Sequence, residues 1–130
     1  MVVDTSVLVA IVLGEPEEAK FLEVMRTSVH RLLSAVSLVE AGVVLMQRGA
    51  PEIEHDLDRL IERAGIMVIP VDEEQAILAR AAYRSFGKGR HRAGLNFGDC
   101  FSYALSIRTG EPLLFKGDDF TWTDVTKVFR

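Results

Sequence analysis

The sequence predicts an α/β protein in which helices flank a parallel sheet. Short apolar runs rich in Val, Ile and Leu alternate with amphipathic stretches of helical period, which is the pattern of strand–helix units. One run, 66–71, is almost continuously apolar, as in a parallel strand that is covered on both faces. Because a chain of 130 residues rarely divides into separate cores, we expect one domain spanning 1–130.

The first half of the chain contains two predicted strands and four predicted helices, separated by Gly and Pro. Gly14 and Pro16 break the first helix, and Gly49 and Gly65 end the third and fourth helices. The predicted elements are strand 1–4, helix 5–13, helix 17–29, strand 31–36, helix 37–48 and helix 51–64.

The second half contributes the remaining strands and two capped helices. Asp72, with Gln75 three residues later, caps the fifth helix, and Asn96 caps the sixth, which Gly110 ends. The predicted elements are strand 66–71, helix 72–86, helix 96–110, strand 112–115 and a short last strand at 126–129. A basic loop, 87–94, separates the two helices.

The charge distribution bears on nucleic-acid binding. A net charge of −4 counts against a generic nucleic-acid binder, which is basic, unless functional carboxylates are offset by a metal ion. One basic segment stands out, with no acid inside it: Arg80, Arg84, Lys88, Arg90, His91 and Arg92. This segment is a candidate contact for a phosphate backbone, although a solvated surface loop has the same composition.

The single cysteine and the apolar runs indicate where the protein works. Cys100 has no cysteine to pair with, and a lone thiol fits a reducing compartment, so we expect a cytoplasmic protein. The apolar start, 1–13, contains Asp4 and lacks a basic segment, unlike a signal peptide. No run approaches the roughly 20 apolar residues of a membrane span, so no membrane association is expected.

Carboxylates follow the predicted strands at the positions where ligands bind in parallel sheets. Asp4 ends the first strand, whereas Asp118 and Asp119 follow the strand at 112–115. Glu40 and Asp99 are expected in the first turns of two helices. If the strands are parallel, these acids meet at one edge of the sheet.

Clustered carboxylates repel one another, and each raises the pKa of its neighbours, so a divalent cation stabilises such a cluster. Oxygen ligands with phosphate oxygens at the open positions are typical of Mg²⁺ or Mn²⁺. A metal ion bound there would activate water and stabilise charge on a phosphodiester. The sequence offers no cluster of zinc ligands, no P-loop and no GxSxG motif for other chemistries.

Two of these acids also have a purely structural interpretation, which stays open at this point. Ser37-x-x-Glu40 has the spacing of a capping box, and Asn96-x-x-Asp99 is a weaker version of it. Asp4 is harder to explain structurally, because a charge at the end of an apolar strand is costly without a partner.

Four motifs, in this order along the chain, resemble those of PIN-domain ribonucleases, and especially VapC toxins of bacterial toxin–antitoxin pairs. The matching segments are Val2-Val3-Asp4-Thr5-Ser6, Ser37-Leu38-Val39-Glu40, Leu95-Asn96-Phe97-Gly98-Asp99-Cys100-Phe101-Ser102-Tyr103-Ala104 and Pro112-Leu113-Leu114-Phe115-Lys116-Gly117-Asp118-Asp119-Phe120. The resemblance implies a three-layer α/β/α sandwich with a short central parallel sheet. It also implies a Mg²⁺-dependent endoribonuclease, with Mn²⁺ as the alternative ion.

The resemblance assigns roles to particular residues. Asp4 and Asp99 are expected to bind the metal, with Glu40 in or beside its coordination sphere. Asp118 and Asp119 compete for the place of a fourth acid, and Asp124 has a weaker claim. The hydroxyls of Thr5 and Ser6 are expected to support the metal site or to cap the helix. The expected contacts to the RNA substrate are Thr5, Ser6, Lys88, Arg90 and Arg92.

The resemblance also implies partners. We expect an RNA substrate, a homodimer and a VapB-like antitoxin that places an Arg among the carboxylates. The apolar residues Phe21, Leu22, Met25, Leu45 and Met46 are candidates for the antitoxin groove, although the sequence does not separate them from core positions.

Three other classes of protein share some of these sequence features. A haloacid-dehalogenase-like phosphatase needs a second Asp two residues after the first, where this chain has Ser6. A receiver-like phosphoacceptor would use Lys116, but Asp4 comes too early to be its phosphorylated residue. A PIN-like binding module without catalysis is the main alternative, and the presence of all the matching acids argues against it.

Overall fold

The computed structural model describes residues 1–49 and 51–129, and it contains one sheet of four short parallel strands. The strands are β1 (Val2–Val3), β2 (Leu32–Ser34), β3 (Met67–Ile69) and β4 (Leu113–Leu114), in the order β3-β2-β1-β4. Val2 pairs with Leu32 on one side and with Leu113 on the other. The predicted parallel sheet is therefore confirmed.

Six helices surround the sheet, and a 3₁₀ helix follows the last strand. They are α1 (Thr5–Val12), α2 (Glu18–Arg26), α3 (Ala35–Arg48), α4 (Glu52–Arg63), α5 (Glu73–Phe86), α6 (Phe97–Thr109) and the 3₁₀ helix Asp119–Trp122. One cluster of buried apolar residues joins α1 to α4 and the sheet, and a second joins α5, α6 and the sheet. The fold is a three-layer α/β/α sandwich, as predicted.

The start of α3 differs from the prediction. The helix begins at Ala35, and Ser34 is the N-cap, accepting a hydrogen bond from the Val36 N–H at 3.3 Å. Ser37 therefore lies inside the helix, and the predicted capping box of Ser37 and Glu40 is wrong. Both serines suit a cap, and the end of the β2 pairing at Ser34 decides between them.

The third strand is also different from its prediction. β3 lies at the edge of the sheet, and its successive residues Met67 and Val68, which point to opposite faces, are both exposed, so the expectation that both faces are covered is wrong. Met67 is 60 % exposed although it belongs to an apolar run. The run is apolar because Ile66 and Ile69 pack against the two cores, whereas the remaining apolar residues of the strand face outwards.

The predicted N-caps of α5 and α6, Asp72 and Asn96, are confirmed. The Asp72 side chain accepts from the Gln75 N–H, while the Gln75 amide donates to the Pro70 carbonyl instead of completing a capping box. The predicted strand at 126–129 is reduced to a single bridge between Leu113 and Lys127. Within the described residues, no helix is both long and apolar enough to cross a membrane.

Candidate active site

Asp4 lies where β1 ends and is the N-cap of α1, which places its carboxylate at the carboxyl edge of the sheet. Its side chain is almost inaccessible, with 3 % of the residue exposed. Oδ2 accepts hydrogen bonds from the Ser6 N–H at 3.0 Å and the Ser6 hydroxyl at 2.7 Å. Oδ1 accepts from the Ser102 hydroxyl at 2.6 Å. Neutral donors thus fix the orientation of this buried carboxylate without neutralising its charge.

A chain of hydroxyl groups connects Asp4 to neighbouring elements. Ser102, on α6, lies 3.2 Å from the Ser37 hydroxyl on α3. The Thr5 hydroxyl donates to the Ser37 carbonyl at 3.3 Å. The Ser6 hydroxyl accepts from the Lys116 N–H at 2.9 Å, beyond the end of β4. Because these bonds are buried or partly buried, they fix α3, α6 and the end of β4 around one carboxylate.

Asp99 lies in the first turn of α6, and its carboxylate takes part in the N-terminal cap of this helix. Its carboxylate accepts from the Asn96 N–H at 3.0 Å, and the Asn96 side chain accepts from the Asp99 N–H at 2.8 Å, so the predicted capping box is confirmed. Burial is the main reason that the pKa of Asp99 rises to about 7, with the charge of Asp4 next in size. The bond from Asn96 opposes this rise, and the charges of Glu40 and Asp119 add to it.

Glu40 lies in the second turn of α3, where it is partly buried. Burial raises the pKa of its carboxyl, the Thr5 hydroxyl lowers it, and the charge of Asp4 raises it further. Gly98 makes room for this carboxylate. A Cβ atom on Gly98 would lie 2.0 Å from Glu40 Oε2, so only glycine at this position allows the observed approach.

Asp118 and Asp119 differ in their relation to these acids. Asp119 begins the 3₁₀ helix, and its charge contributes to the raised pKa of Asp99. Asp118 is not among the groups that act on Asp99. Asp124, the weaker candidate, accepts a hydrogen bond from the Tyr103 hydroxyl at 2.7 Å. The structure therefore brings Asp119 into the group of Asp4, Glu40 and Asp99.

We call Asp4, Glu40, Asp99 and Asp119 the acidic cluster. None of the four forms a salt bridge within the described residues, so their mutual repulsion is not offset by a basic side chain. In the same part of the chain, no three Asp, Glu, His or Cys side chains are already arranged as a metal cage. The donors are all hard oxygens with excess negative charge, which is the ligand chemistry that a hard divalent cation prefers.

The basic loop is an ordered turn. The Lys88 N–H donates to the Leu95 carbonyl and the Leu95 N–H donates to the Phe86 carbonyl, both at 2.9 Å. Lys88 and Arg90 are exposed on this turn, so both side chains are available to a partner. Arg92 stacks its guanidinium 3.8 Å from the centre of the Trp122 ring, so it already has a partner within the chain.

Sequence reasoning did not assign Ser102 and Gly98. Ser102 lies three residues after Asp99, so the two share a face of α6, and this spacing was the available signal. A glycine in the first turn of a helix was the signal for Gly98, because glycine is unfavourable there without a packing reason. Cys100, which follows Asp99 on α6, is buried, and burial raises the pKa of its thiol to about 11.

The structure also separates the candidates for an antitoxin groove. Phe21, Met25 and Leu45 are buried in the core, whereas Leu22 and Met46 are exposed on the helices. Only the last two are therefore available to a partner without rearrangement of the core.

Comparison with known proteins gives the class of protein. Residues 1–125 match the PIN domain family. Ribonuclease VapC28 of Mycobacterium tuberculosis is 51 % identical over 129 residues, covering 98 % of this chain and 97 % of that protein. The chain belongs to the PIN-domain family, among the VapC proteins, which confirms the resemblance in the motifs.

Solved structures show the same fold. VapC20 of Mycobacterium tuberculosis, described as a sarcin–ricin loop cleaving toxin, has a TM-score of 0.79 at 17 % identity, covering 98 % of this chain and 97 % of that one. A toxin–antitoxin complex from Klebsiella pneumoniae has a TM-score of 0.70 at 17 % identity, covering 95 % and 92 %.

Proposed function

We propose that this chain is a metal-dependent endoribonuclease that acts as the toxin of a toxin–antitoxin pair. The observation that carries the proposal is the acidic cluster, whose four carboxylates converge from β1, α3, α6 and the 3₁₀ helix without a basic partner in the described residues. The ribonuclease names of relatives such as VapC28 support the class of reaction.

The proposed ligands of the metal are Asp4 and Asp99, with Glu40 beside them and Asp119 as the fourth acid in preference to Asp118. Bound Mg²⁺, or Mn²⁺, would polarise the scissile phosphate and lower the pKa of a bound water. Other side chains of the protein fix the orientation of these carboxylates. Ser6 and Ser102 hold the two oxygens of Asp4, while Asn96 holds Asp99. Thr5 and Ser6 thus act through the acids, not as direct RNA contacts.

Lys88 and Arg90 are the proposed contacts to the phosphate backbone of RNA. Both are exposed on the ordered turn that precedes α6, and α6 carries Asp99. Cationic side chains near an acidic centre offset the repulsion between the RNA phosphates and the carboxylates. Arg92 contributes less directly, because its stacking on Trp122 joins the turn to the 3₁₀ helix that carries Asp119.

The proposed protein partners are an antitoxin of the VapB type and a second copy of the chain, in the cytoplasm. An antitoxin Arg would be attracted to the acidic cluster, where it would take the place of the metal charge. The Klebsiella structure, a toxin–antitoxin complex of the same fold, supports the antitoxin as a partner. Co-purification with a co-expressed antitoxin of the VapB type tests the antitoxin, and light scattering of the purified chain tests the second copy.

Cleavage of total RNA by purified protein tests the proposed reaction. We expect discrete fragments in Mg²⁺, none in EDTA, and none with Asp4→Asn or Asp99→Asn, because each change removes a proposed ligand. Asp119→Asn should slow cleavage more than Asp118→Asn. The matched control is Asp58→Asn, which removes an exposed acid on α4 and should cleave at the wild-type rate.

Three results would contradict the proposal. Folded protein that cuts no RNA in either metal would point to a binding module with a PIN fold. Release of phosphate from small esters, with no RNA cleavage, would point to a phosphatase. Cleavage that persists in Asp4→Asn and Asp99→Asn would show that the acidic cluster is not the active site.

A further inference from the structure

Lys116 follows β4 and connects it to the loop between α1 and α2. Its ammonium group forms ion pairs with Glu15 and with Glu17, the latter at 3.1 Å. Between 27 % and 35 % of each of the three side chains is exposed, so the charges lie close against the protein surface. We call these three residues the Lys116 cluster. The proposed reaction does not use it.

The two glutamates of the Lys116 cluster are held by the ends of helices. At the end of α1, Gly14 has a φ of +65°, and the Glu15 N–H donates to the Ala10 carbonyl at 2.8 Å. Glycine favours this way of ending a helix. Glu17 is the N-cap of α2, and its carbonyl accepts from the N–H of the buried Phe21 at 3.0 Å. The ion pairs therefore attach the chain after β4 to two fixed positions.

The backbone of the same segment supports Asp4. The Asp4 N–H donates to the Leu114 carbonyl at 3.0 Å, and the Lys116 N–H donates to the Ser6 hydroxyl at 2.9 Å. The Ser6 hydroxyl in turn donates to Asp4 Oδ2 at 2.7 Å. A displacement of Lys116 would therefore reach the Asp4 carboxylate through two consecutive hydrogen bonds.

The segment then leads to Asp119. Gly117 has a φ of +93°, which glycine adopts at little cost, and Asp119 begins the 3₁₀ helix two residues later. Within residues 1–49 and 51–129, every hydrogen bond or ion pair that links 116–119 to the chain outside 116–122 comes from Lys116. The polar contacts that hold this approach to Asp119 therefore depend on one residue.

We propose that Lys116 is a positioning residue for the acidic cluster. Its ion pairs with Glu15 and Glu17 fix the segment 116–119, so that the Lys116 N–H meets Ser6 and Asp119 joins the acidic cluster. Lys116 acts through Asp4 and Asp119 and itself contacts neither metal nor RNA. The inference rests on the proposed function, since it adds a residue that positions the proposed metal ligands.

A direct contact between Lys116 and an RNA phosphate is the alternative role. The Lys116 ammonium already has two carboxylate partners, and a phosphate would have to displace both. One positive and two negative charges leave the Lys116 cluster with a net charge of −1, which repels a phosphate. Removing the two glutamates therefore separates the roles: positioning predicts a loss of function, whereas a phosphate contact predicts tighter binding of RNA.

Amide hydrogen exchange followed by NMR in EDTA tests the positioning without metal or RNA. The variants are Lys116→Met, which removes the charge but keeps the backbone N–H, and the double variant Glu15→Gln/Glu17→Gln. In both, the amide of residue 116 should exchange about fivefold faster after correction for intrinsic rates, the effect of two lost surface ion pairs on local opening. Lys116→Arg, which can still pair with both glutamates, should exchange like wild type.

Calorimetry with Mn²⁺ tests the consequence for the acidic cluster. Lys116→Met and the double variant should each bind Mn²⁺ about tenfold more weakly than wild type, as when groups that orient metal ligands are removed. In RNA cleavage with Mg²⁺, kcat should fall by a similar factor while KM changes little. Adding Lys116→Met to the double variant should cause no further loss, because the three side chains act as a unit.

The matched control is another ion pair that joins two elements. Arg108 in the last turn of α6 pairs with Glu74 in the first turn of α5 at 2.6 Å, and neither residue belongs to the acidic cluster. Arg108→Met should therefore leave the exchange of residue 116, the Mn²⁺ affinity and kcat as they are in wild type.

The outcomes distinguish this inference from the proposed function. If the variants lose protection and Mn²⁺ affinity but wild type cuts no RNA, the positioning role stands and the nuclease proposal fails. If wild type cleaves RNA and the variants keep its Mn²⁺ affinity, with or without faster exchange, the inference is wrong and the nuclease proposal stands. If Lys116→Met raises only KM and the double variant binds RNA more tightly, Lys116 is an RNA contact and the inference is wrong.

Discussion

Asp4 shows how single residues prepare the acidic cluster. A carboxylate that is 3 % exposed has lost most of its water, and three donors from Ser6 and Ser102 replace it. Hydrogen bonds to a charged group are stronger than those between neutral groups, and they fix direction as well as energy. The two hydroxyls therefore make Asp4 a carboxylate of fixed orientation.

Replacing Ser102 with Ala tests this role. The change removes the 2.6 Å hydrogen bond to Asp4 Oδ1, so RNA cleavage should fall by about 10- to 100-fold, as for groups that orient metal ligands. Stability to urea should fall by about 1–3 kcal/mol, because a buried charge loses a donor. The control is Ser106→Ala, which removes a hydroxyl bonded to the Glu111 carbonyl one turn further along α6. It should lose stability but keep the wild-type cleavage rate; an equal loss of cleavage in both variants would contradict the orienting role.

Asp99 gives a prediction about pH in metal-free protein. Its pKa is about 7 in the folded protein, against 3.8 for an unperturbed Asp, so the folded state holds a proton that the unfolded state has released. Its contribution to stability is therefore greatest at low pH and is lost as the pH rises from about 4 to about 7. In EDTA, the melting temperature of Asp99→Asn should exceed that of wild type at pH 7.5 by a few degrees. The difference should shrink at pH 5, and a difference that is the same at both pH values would show that the Asp99 charge is not the cause.

At the scale of whole elements, α3 and α6 approach each other closely at the acidic cluster. Gly98 allows this approach, since a Cβ there would overlap with the end of the Glu40 side chain. That side chain is flexible, so an added methyl group would displace the carboxylate without breaking the helix. The close packing of the two helices therefore determines where Glu40 lies.

Gly98→Ala should consequently separate activity from stability. We expect cleavage to fall by about 100-fold, the order of loss seen for small displacements of catalytic groups. The free energy of unfolding should change little, because the helix propensity gained by Ala offsets the local crowding. Gly42→Ala is the matched control in α3, where the new Cβ would meet only Glu54 Oε1 at an ordinary 3.8 Å. It should keep full activity and gain up to about 1 kcal/mol of stability. Equal activity in the two variants would contradict the role of Gly98.

The sheet organises the whole molecule. All four strands are parallel, so acids that follow β1 and β4 and acids near the starts of α3 and α6 meet at one edge. The resulting concentration of like charge costs stability in the absence of a counterion. Repulsion between the carboxylates at this edge therefore lowers the free energy of unfolding, and a bound cation would remove that loss.

Added Mg²⁺ should raise the melting temperature of the wild-type protein. Saturation at 100 times the dissociation constant is worth about 2.7 kcal/mol, since only the folded state assembles the acidic cluster. Asp4→Asn should show a much smaller rise, and Asp58→Asn, with one exposed acid fewer on α4, should respond like wild type. Calorimetry with Mg²⁺, Mn²⁺ and EDTA measures this effect, and an equal response in all three proteins would show that the cation binds elsewhere.

The sequence by itself determined the class of fold and the acids that meet in it. Hydrophobic periodicity predicts the parallel sheet, and the motifs around Asp4, Glu40 and Asp99 predict both the family and the residues at its edge. These signals are local, because they depend on strand and helix period and on residue types at short spacing.

Only the tertiary structure decided the questions that depend on distant contacts. It chose Ser34 over Ser37 as the cap of α3, placed Asp119 rather than Asp118 among the groups acting on Asp99, and made β3 an exposed edge. It also joined Ser102 to Asp4 across 98 positions of sequence. The physical reason is that neighbouring residues offer nearly equal local choices, and the packing of distant elements supplies the free-energy difference between them.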